Sequence, residues 1–283
     1  MNRKVIKSVL SKKFNAWADS IWDEDVKKLI KDNSIITGGA IASMFLNEKV
    51  SDYDIYFKNK ETALAIAKYY INQFNEHKKS KHEVQYNNDR IKIYIKSKGI
   101  AEIEDDNSSK IDLDSKQKNN KKLTAYRPIF LTDNAITLSN KVQLIIRFWG
   151  KPGEIHKNYD FVHCSNYWTS WNNQLTTNIQ ALEALLSREL KYVGSKYPVC
   201  SIVRIRKFIK RGFHINAGQM LKIMFQISKL DLSNIDILEE QLTGVDVAYF
   251  MELIKALRCE KEKNPEFEVD DSYISGIIDK IFG

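Results

Sequence analysis

The chain has 283 residues, 43% hydrophobic and 28% charged, and its 44 Lys and Arg outnumber its 36 Asp and Glu to give a formal net charge of +8, which favours a polyanionic partner. That length can bury a sizeable core in one large or two medium domains, while no apolar run approaches the roughly 20 residues of a membrane span and no signal-peptide core follows Met1-Asn2-Arg3-Lys4, so a cytoplasmic protein without a membrane partner is predicted. Cys164, Cys200 and Cys259 are odd in number, far apart and free of C-x-x-C spacing, which argues against a disulfide framework and a structural zinc site and predicts buried thiols.

In chain order, residues 1–30 predict a leading helix with Val5, Ile6, Val9, Leu10, Phe14 and Trp17 at helical spacing. Ile35-Ile36-Thr37 reads as the end of a short strand. Gly38-Gly39 then lets the backbone turn sharply and approach a ligand without a Cβ in the way. Residues 40–46 are good helix formers, and a helix starting there would aim its free N–H groups at an anion. In Ser51-Asp52-Tyr53-Asp54-Ile55-Tyr56-Phe57 the residues alternate in character, so a strand places Asp52, Asp54 and Tyr56 on one face and Tyr53, Ile55 and Phe57 on the other. Residues 61–75 form a helix with Ala63, Ile66, Ala67 and Tyr70 as its packing face, and residues 84–95 alternate like a strand. Residues 104–122 are charged and poor in large apolar side chains, reading as a flexible insertion; Asp112 and Asp114 in it form a second D-x-D that lacks a glycine turn beside it.

Residues 141–148 are rich in β-branched side chains and predict a buried strand, which Gly150, Pro152 and Gly153 break. A turn over residues 150–157 would return Tyr159-Asp160-Phe161-Val162-His163-Cys164 to the sheet as an antiparallel strand with Asp160, Val162 and Cys164 on one face. On that strand His163 faces away from Asp160, and His156 and His163 match no common metal-ligand spacing. From about residue 171 helical patterns dominate, over 176–192, 201–212, 217–230 and 246–260. The helix over 201–212 carries Ile202, Ile205, Phe208 and Ile209 on one stripe and Arg204, Lys207 and Arg211 along one flank, with Gly212 ending it. The fold class expected is α+β, a mixed sheet with flanking helices over 1–170 followed by a mainly helical domain over 171–283.

The chemistry concentrates in the first half. On a strand the α-carbons of Asp52 and Asp54 sit roughly 7 Å apart, close enough for both carboxylates to reach one divalent cation. Without a cation two buried carboxylates repel, so the pair is either exposed or metal-bound. Asp160, a single acid among apolar neighbours, also needs a partner, and a metal is one.

A glycine pair opening a helix, a D-x-D strand and a third acid on a later strand together resemble the polymerase-β-like nucleotidyltransferase superfamily. The form Gly38-Gly39-Ala40-Ile41, with Leu46 late in the helix and Asp52-Tyr53-Asp54-Ile55 next, is most similar to the CCA-adding and poly(A)-adding branch, although Ala42-Ser43 stand where that branch usually carries Arg-Asp. Residues 126–168 also resemble small nucleotidyltransferase-type proteins of bacteriophages, which would put this one in a host cytoplasm. The segment 204–215 is similar to the basic segment that follows the branch's catalytic domain, offering Arg204, Lys207 and Arg211 to a triphosphate or an RNA backbone.

The resemblance implies an enzyme that uses Mg²⁺ or Mn²⁺, held by Asp52, Asp54 and Asp160, to transfer a nucleotide from a nucleoside triphosphate to an acceptor hydroxyl, with Gly38 and Gly39 against the phosphates; Lys58, just past the acidic strand, reads as a surface lysine, with a phosphate contact as the alternative. The resemblance also implies template-independent addition to an RNA 3′ end, a tRNA among the acceptors. Two alternatives stand beside it. One is nucleotidylation of a protein or small molecule, or synthesis of a nucleotide signal, on the same fold. The other is a catalytically silent module that binds RNA or a protein.

Overall fold

The computed structural model describes residues 1–78, 82–87, 90–95, 125–132 and 134–242, with a few further positions between 257 and 279. The expected insertion over 104–122, with its second D-x-D, and most of the helix expected over 246–260 lie outside the described residues. The chain forms two compact units, one of residues 1–156 with 164–178, the other of residues 157–163 with 179–283.

The first unit holds every described strand. Its leading segment is two helices, α1 (Arg3–Ala18), with the Asn2 side chain accepting from Val5 N–H at its start, and α2 (Glu24–Asn33), capped by Asp23. Ile6, Leu10, Phe14 and Trp17 of α1 recur every three or four residues and are 0–2% exposed, so one face of the helix is the floor of the core. Then follow β1 (Ser34–Thr37), α3 (Gly39–Phe45), β2 (Tyr53–Phe57), α4 (Lys60–Lys78), and the hairpin β3 (His82–Asn87) and β4 (Arg90–Ile95). After them come β5 (Pro128–Leu131), β6 (Ala135–Leu138), β7 (Val142–Trp149), α5 (Pro152–His156), β8 (Tyr167–Thr169) and β9 (Gln174–Thr176). Seven of these strands make one sheet in the order β5-β6-β7-β2-β1-β8-β9. Its pairs are antiparallel except β2 with β7, and β2, fourth in the order, lies at its centre. Ala63, Ile66, Ala67 and Tyr70 of α4 are buried, as their spacing predicts. The Trp17 indole N–H donates to the Tyr70 hydroxyl at 2.9 Å, locking α1 to α4 inside the core.

The second unit is helical, with α6 (Ile179–Ser187), α7 (Pro198–Ile209), α8 (Ala217–Ile227) and α9 (Ile235–Leu242) among its described helices. Helix α6 is shorter than the pattern over 176–192 suggests, because Arg188 turns into the left-handed region (φ +51°) and its amide bonds back to Leu185. Of the stripe expected on α7, Ile205 is buried and Phe208 half-buried, whereas Ile202 and Ile209 are 41% and 52% exposed; the buried face is rotated toward Ser201 and Arg204.

Asp160 corrects the strand expected at 159–164. It sits in a bend, its carbonyl accepts from Val193 N–H at 2.9 Å, and Val162 N–H donates to Lys191, so the segment pairs with residues 191–193 of its own unit rather than with the sheet. Residues 162–164 form a 3-10 turn. Asp160, Phe161, Val162 and His163 are all buried, so the segment lacks the one-sided burial that a sheet strand would give, and its partners at residues 191–193 are too far along the chain to be read from local spacing. The Asp160 side chain is 4% exposed and its Oδ2 accepts a hydrogen bond from Arg204. Next to it His163 is 1% exposed, with neither ring nitrogen hydrogen-bonded, and its ring packs on Phe208 and Phe213 at centroid distances of 4.6 and 4.9 Å. Burial, helped by the nearby Arg211 charge, pushes the imidazole down to about 3.

Cys200 is buried and its thiol donates to the Gln241 carbonyl, but Cys164 is half-buried and Cys259 exposed, so the expectation of three buried thiols holds for one. Among the described residues no helix is long and apolar enough to cross a membrane.

Three stability outcomes follow. Trp17→Phe leaves the buried Tyr70 hydroxyl without its donor and should cost about 1–3 kcal/mol in denaturant unfolding. Arg204→Ala strands a buried carboxylate; breaking a buried pair costs about 3–5 kcal/mol, and the one-third exposure of Arg204 puts this case near 3. For His163 the unfolded imidazole protonates near 6.5 and the folded one near 3, so the unfolded state binds the extra proton between those values. Stability is therefore greatest above pH 6.5 and falls as the pH drops, by up to about 1.4 kcal/mol per pH unit from this group. His163→Phe should retain about 2 kcal/mol more of its own neutral-pH stability at pH 5 than the unaltered protein does, read from urea midpoints at both pH values.

Candidate active site

The site is built by two neighbouring strands that run in opposite directions. β1 ends at Thr37 and passes into α3 through Gly38, whose φ of +92° and ψ of −147° are open only to glycine at low cost. Gly39 begins the helix, and a Cβ there would meet nothing within 4 Å, so the face it presents is open. Helix α3 has seven residues, shorter than the reach of a strong helix dipole, and the backbone at the glycines is its distinctive feature. β2 starts at the same end of the sheet. Ile36 pairs with Ile55, which puts Thr37 level with Asp54 and Gly38 level with Tyr53 one residue further on.

The alternation in β2 follows the sequence: Ile55 and Phe57 are fully buried, while Asp54 and Tyr56 on the opposite face are half-buried. Asp52 lies one residue before the strand and is exposed. Tyr53 N–H donates to the Lys141 carbonyl at 2.8 Å, pinning the start of β2 against β7. The two carboxylates thus flank the first residue of a central strand, beside a turn whose backbone is bare.

Beneath that turn is a polar network that the sequence did not reveal. Thr37 is fully buried, and its Oγ1 lies 2.9 Å from His156 Nε2, 2.9 Å from the Asn166 carbonyl and 3.4 Å from the Cys164 carbonyl. Gly38 N–H donates to the Cys164 carbonyl at 3.2 Å. Asn166, 1% exposed, takes Asn178 N–H on its side-chain oxygen. Burial pushes the His156 imidazole down to about 4, so it is neutral at neutral pH. Thr37 and His156 are 119 positions apart, and no spacing pattern links them.

The other candidates fall elsewhere. Lys58 follows the opposite end of β2, with its ammonium 5.1 Å from the Trp171 ring centroid, away from the carboxylate end of the strand. Asp160, Arg204, Lys207 and Arg211 all belong to the second unit. There Arg204 is engaged with Asp160, Lys207 is exposed near the end of α7, and Arg211 precedes Gly212, whose φ of +80° carries the turn after the helix. Among the described residues no group of three or more His, Cys, Asp or Glu side chains is gathered as a metal site. Asp52 and Asp54 are nonetheless a hard-oxygen pair of the kind that holds Mg²⁺ when phosphate oxygens and water supply the remaining ligands.

Residues 8–188 match the family described as "Gabija anti-defense 2 family protein". Over 261 residues the chain is 22% identical to Gabija anti-defense 2 of Bacillus phage SPbetaL7, an alignment covering 92% of this chain and 51% of that protein, so the chain spans about half the length of this relative. Similar solved structures include the Bacillus stearothermophilus CCA-adding enzyme in complex with CTP (TM-score 0.42, 11% identity, 83% of this chain and 50% of that one). Another is the Thermotoga maritima CCA-adding enzyme complexed with tRNA (TM-score 0.40, 11% identity, 91% and 57%). Since the family match takes in more than half of its 283 residues, the chain belongs to the Gabija anti-defense 2 family.

Proposed function

We propose that the chain is a nucleotidyltransferase that moves a nucleoside monophosphate from a nucleoside triphosphate to an acceptor hydroxyl, with an RNA 3′ end as the leading acceptor and a tRNA among the candidates. The observation that carries this reading is the placement of Asp52 and Asp54 at the start of central strand β2, level with the glycine turn that ends β1. Asp52 and Asp54 would hold Mg²⁺ or Mn²⁺, which when bound supplies charge neutralisation on the triphosphate and lowers the pKa of the acceptor hydroxyl. The chain's own part is positional. Gly38 and Gly39 admit the triphosphate close to the backbone, and the fixed register of β2 between β1 and β7 keeps both carboxylates aimed from one end of the sheet. The hydrogen bond from Arg204 supports reading Asp160 as the acid that anchors α7, leaving exposed Lys207 and half-buried Arg211 as the residues offered to an RNA phosphate backbone.

The family's description supports a role in phage counter-defence, in the cytoplasm of an infected host. A second reading, in which the same site nucleotidylates a protein or small molecule, is compatible with such a role. Ala42 and Ser43, replacing the Arg-Asp of the CCA-adding pattern, are consistent with an acceptor other than a tRNA end.

Incubation with each α-labelled nucleoside triphosphate, Mg²⁺ or Mn²⁺, and in turn an RNA pool and a host lysate should label RNA in the first reading and protein or a small product in the second. Asp52→Asn and Asp54→Asn should each lower labelling by on the order of a thousandfold without a change in unfolding midpoint. Labelling that survives both substitutions would remove these carboxylates from the reaction. Nucleotide binding without any labelled product would point instead to a silent binding module.

A further inference from the structure

We infer that His156 is a positioning residue, whose ring N–H sets the Thr37 hydroxyl and through it the backbone of the Gly38-Gly39 turn; this rests on the reading of that turn as the triphosphate seat.

The Thr37 hydroxyl has one proton, and three polar atoms surround its oxygen: His156 Nε2, the Asn166 carbonyl and the Cys164 carbonyl. Carbonyl oxygens can only accept. Two oxygens 2.9 Å apart need a proton between them, and between Thr37 and the Asn166 carbonyl only the threonine has one to give, so the Thr37 proton goes to that carbonyl and the threonine oxygen accepts from His156. That requires the proton of the neutral imidazole to sit on Nε2. Without this donor a fully buried hydroxyl oxygen would lose its bond, and the hydroxyl would be free to rotate between the two carbonyls.

Those two carbonyls are the seat of the turn. The Cys164 carbonyl also takes Gly38 N–H, so the last side chain of β1 and the first backbone amide of the turn rest on one three-residue segment. Glycine reaches this conformation at low cost but has many others open to it, so these contacts are what hold Gly38 to the one seen. The imidazole, in turn, is delivered by a rigid path. Gly150 N–H donates to the Phe57 carbonyl at 3.0 Å at the end of β2, and Lys151 N–H donates to Glu154 Oε2 at 2.6 Å, which starts α5 and carries His156 back to β1. At Gly150 φ is +137°, and a Cβ would meet Glu154 Oε2 at 2.6 Å, so that corner admits only glycine in its present form. Displacement of a positioned group by about 1 Å can cost about a hundredfold in rate, which makes the backbone support of a binding turn a functional element.

The test compares His156→Phe, which keeps the ring without a donor, with His156→Gln, whose amide can donate to Thr37. Binding of a non-hydrolysable ATP analogue with Mg²⁺ should weaken by about tenfold to a hundredfold in His156→Phe and recover largely in His156→Gln, while the amide resonances of Gly38 and Gly39 shift and exchange faster only in His156→Phe. Thr37→Val, which removes the hydroxyl at constant shape, should reproduce the phenylalanine result and serves if His156→Phe does not fold. Equal binding by the phenylalanine variant and the unaltered protein, or no recovery with glutamine, would overturn the inference. Should the unaltered protein bind no nucleoside triphosphate, the nucleotide reading of the turn falls, and the two glycine amides alone decide: shifted by phenylalanine and restored by glutamine in support, unchanged against.

Discussion

The burial of Ile55 and Phe57 under the sheet is the constraint from which the site follows. Strand geometry sends successive side chains to opposite faces, so once these two are committed to the core Asp54 and Tyr56 have nowhere to go but the other side. The flanking strands then decide where that face opens. β1 and β7 clamp β2 from both sides, and the antiparallel register with β1 brings the bare glycine backbone to the same end as the two acids. A register slip of one residue would invert the whole arrangement, burying the carboxylates and exposing the isoleucine. The apolar alternation is thus as much a part of the site as the acids themselves.

The second unit solves a different problem. A carboxylate and an imidazole are buried three positions apart, and each is accommodated in its own way. Asp160 keeps a guanidinium partner on α7, and His163 is held neutral among aromatic rings. One basic side chain of α7 is consequently turned inward, while the exposed Arg206, Lys207 and Lys210 carry the charge of its outer surface. Net positive charge at the level of composition therefore overstates what the helix presents, because part of it neutralises an internal acid.

What could be read from the residues alone was local. The periodicities of α1, α4 and β2, the glycine turn and the strand at Val142–Trp149 each depend on side chains within a few positions of one another. The bend at Asp160 and the exposure of Ile202 and Ile209 depend on residues 191–193 and on the direction in which Asp160 draws Arg204, and no window of sequence contains both. His156 illustrates the limit most clearly. Its spacing from other histidines and cysteines suggests nothing, since its partner is a threonine on a distant strand and the pairing exists only once the sheet has formed.

That separation bears on how the molecule comes into being. The glycine turn occurs within the first forty residues, yet the strands and carbonyls that hold it come from beyond residue 140: β7 beside β2, His156 after it, then Cys164, Asn166 and β8 beside β1. Pairings of such long range close slowly and only after most of the chain is available. On the ribosome, β1 and β2 emerge well before their outer neighbours, two adjacent apolar strands with both outer edges open. The sheet of the first unit is therefore complete only once β9 has been made, and the edges of β1 and β2 stay open through the synthesis of the segment between β2 and β8.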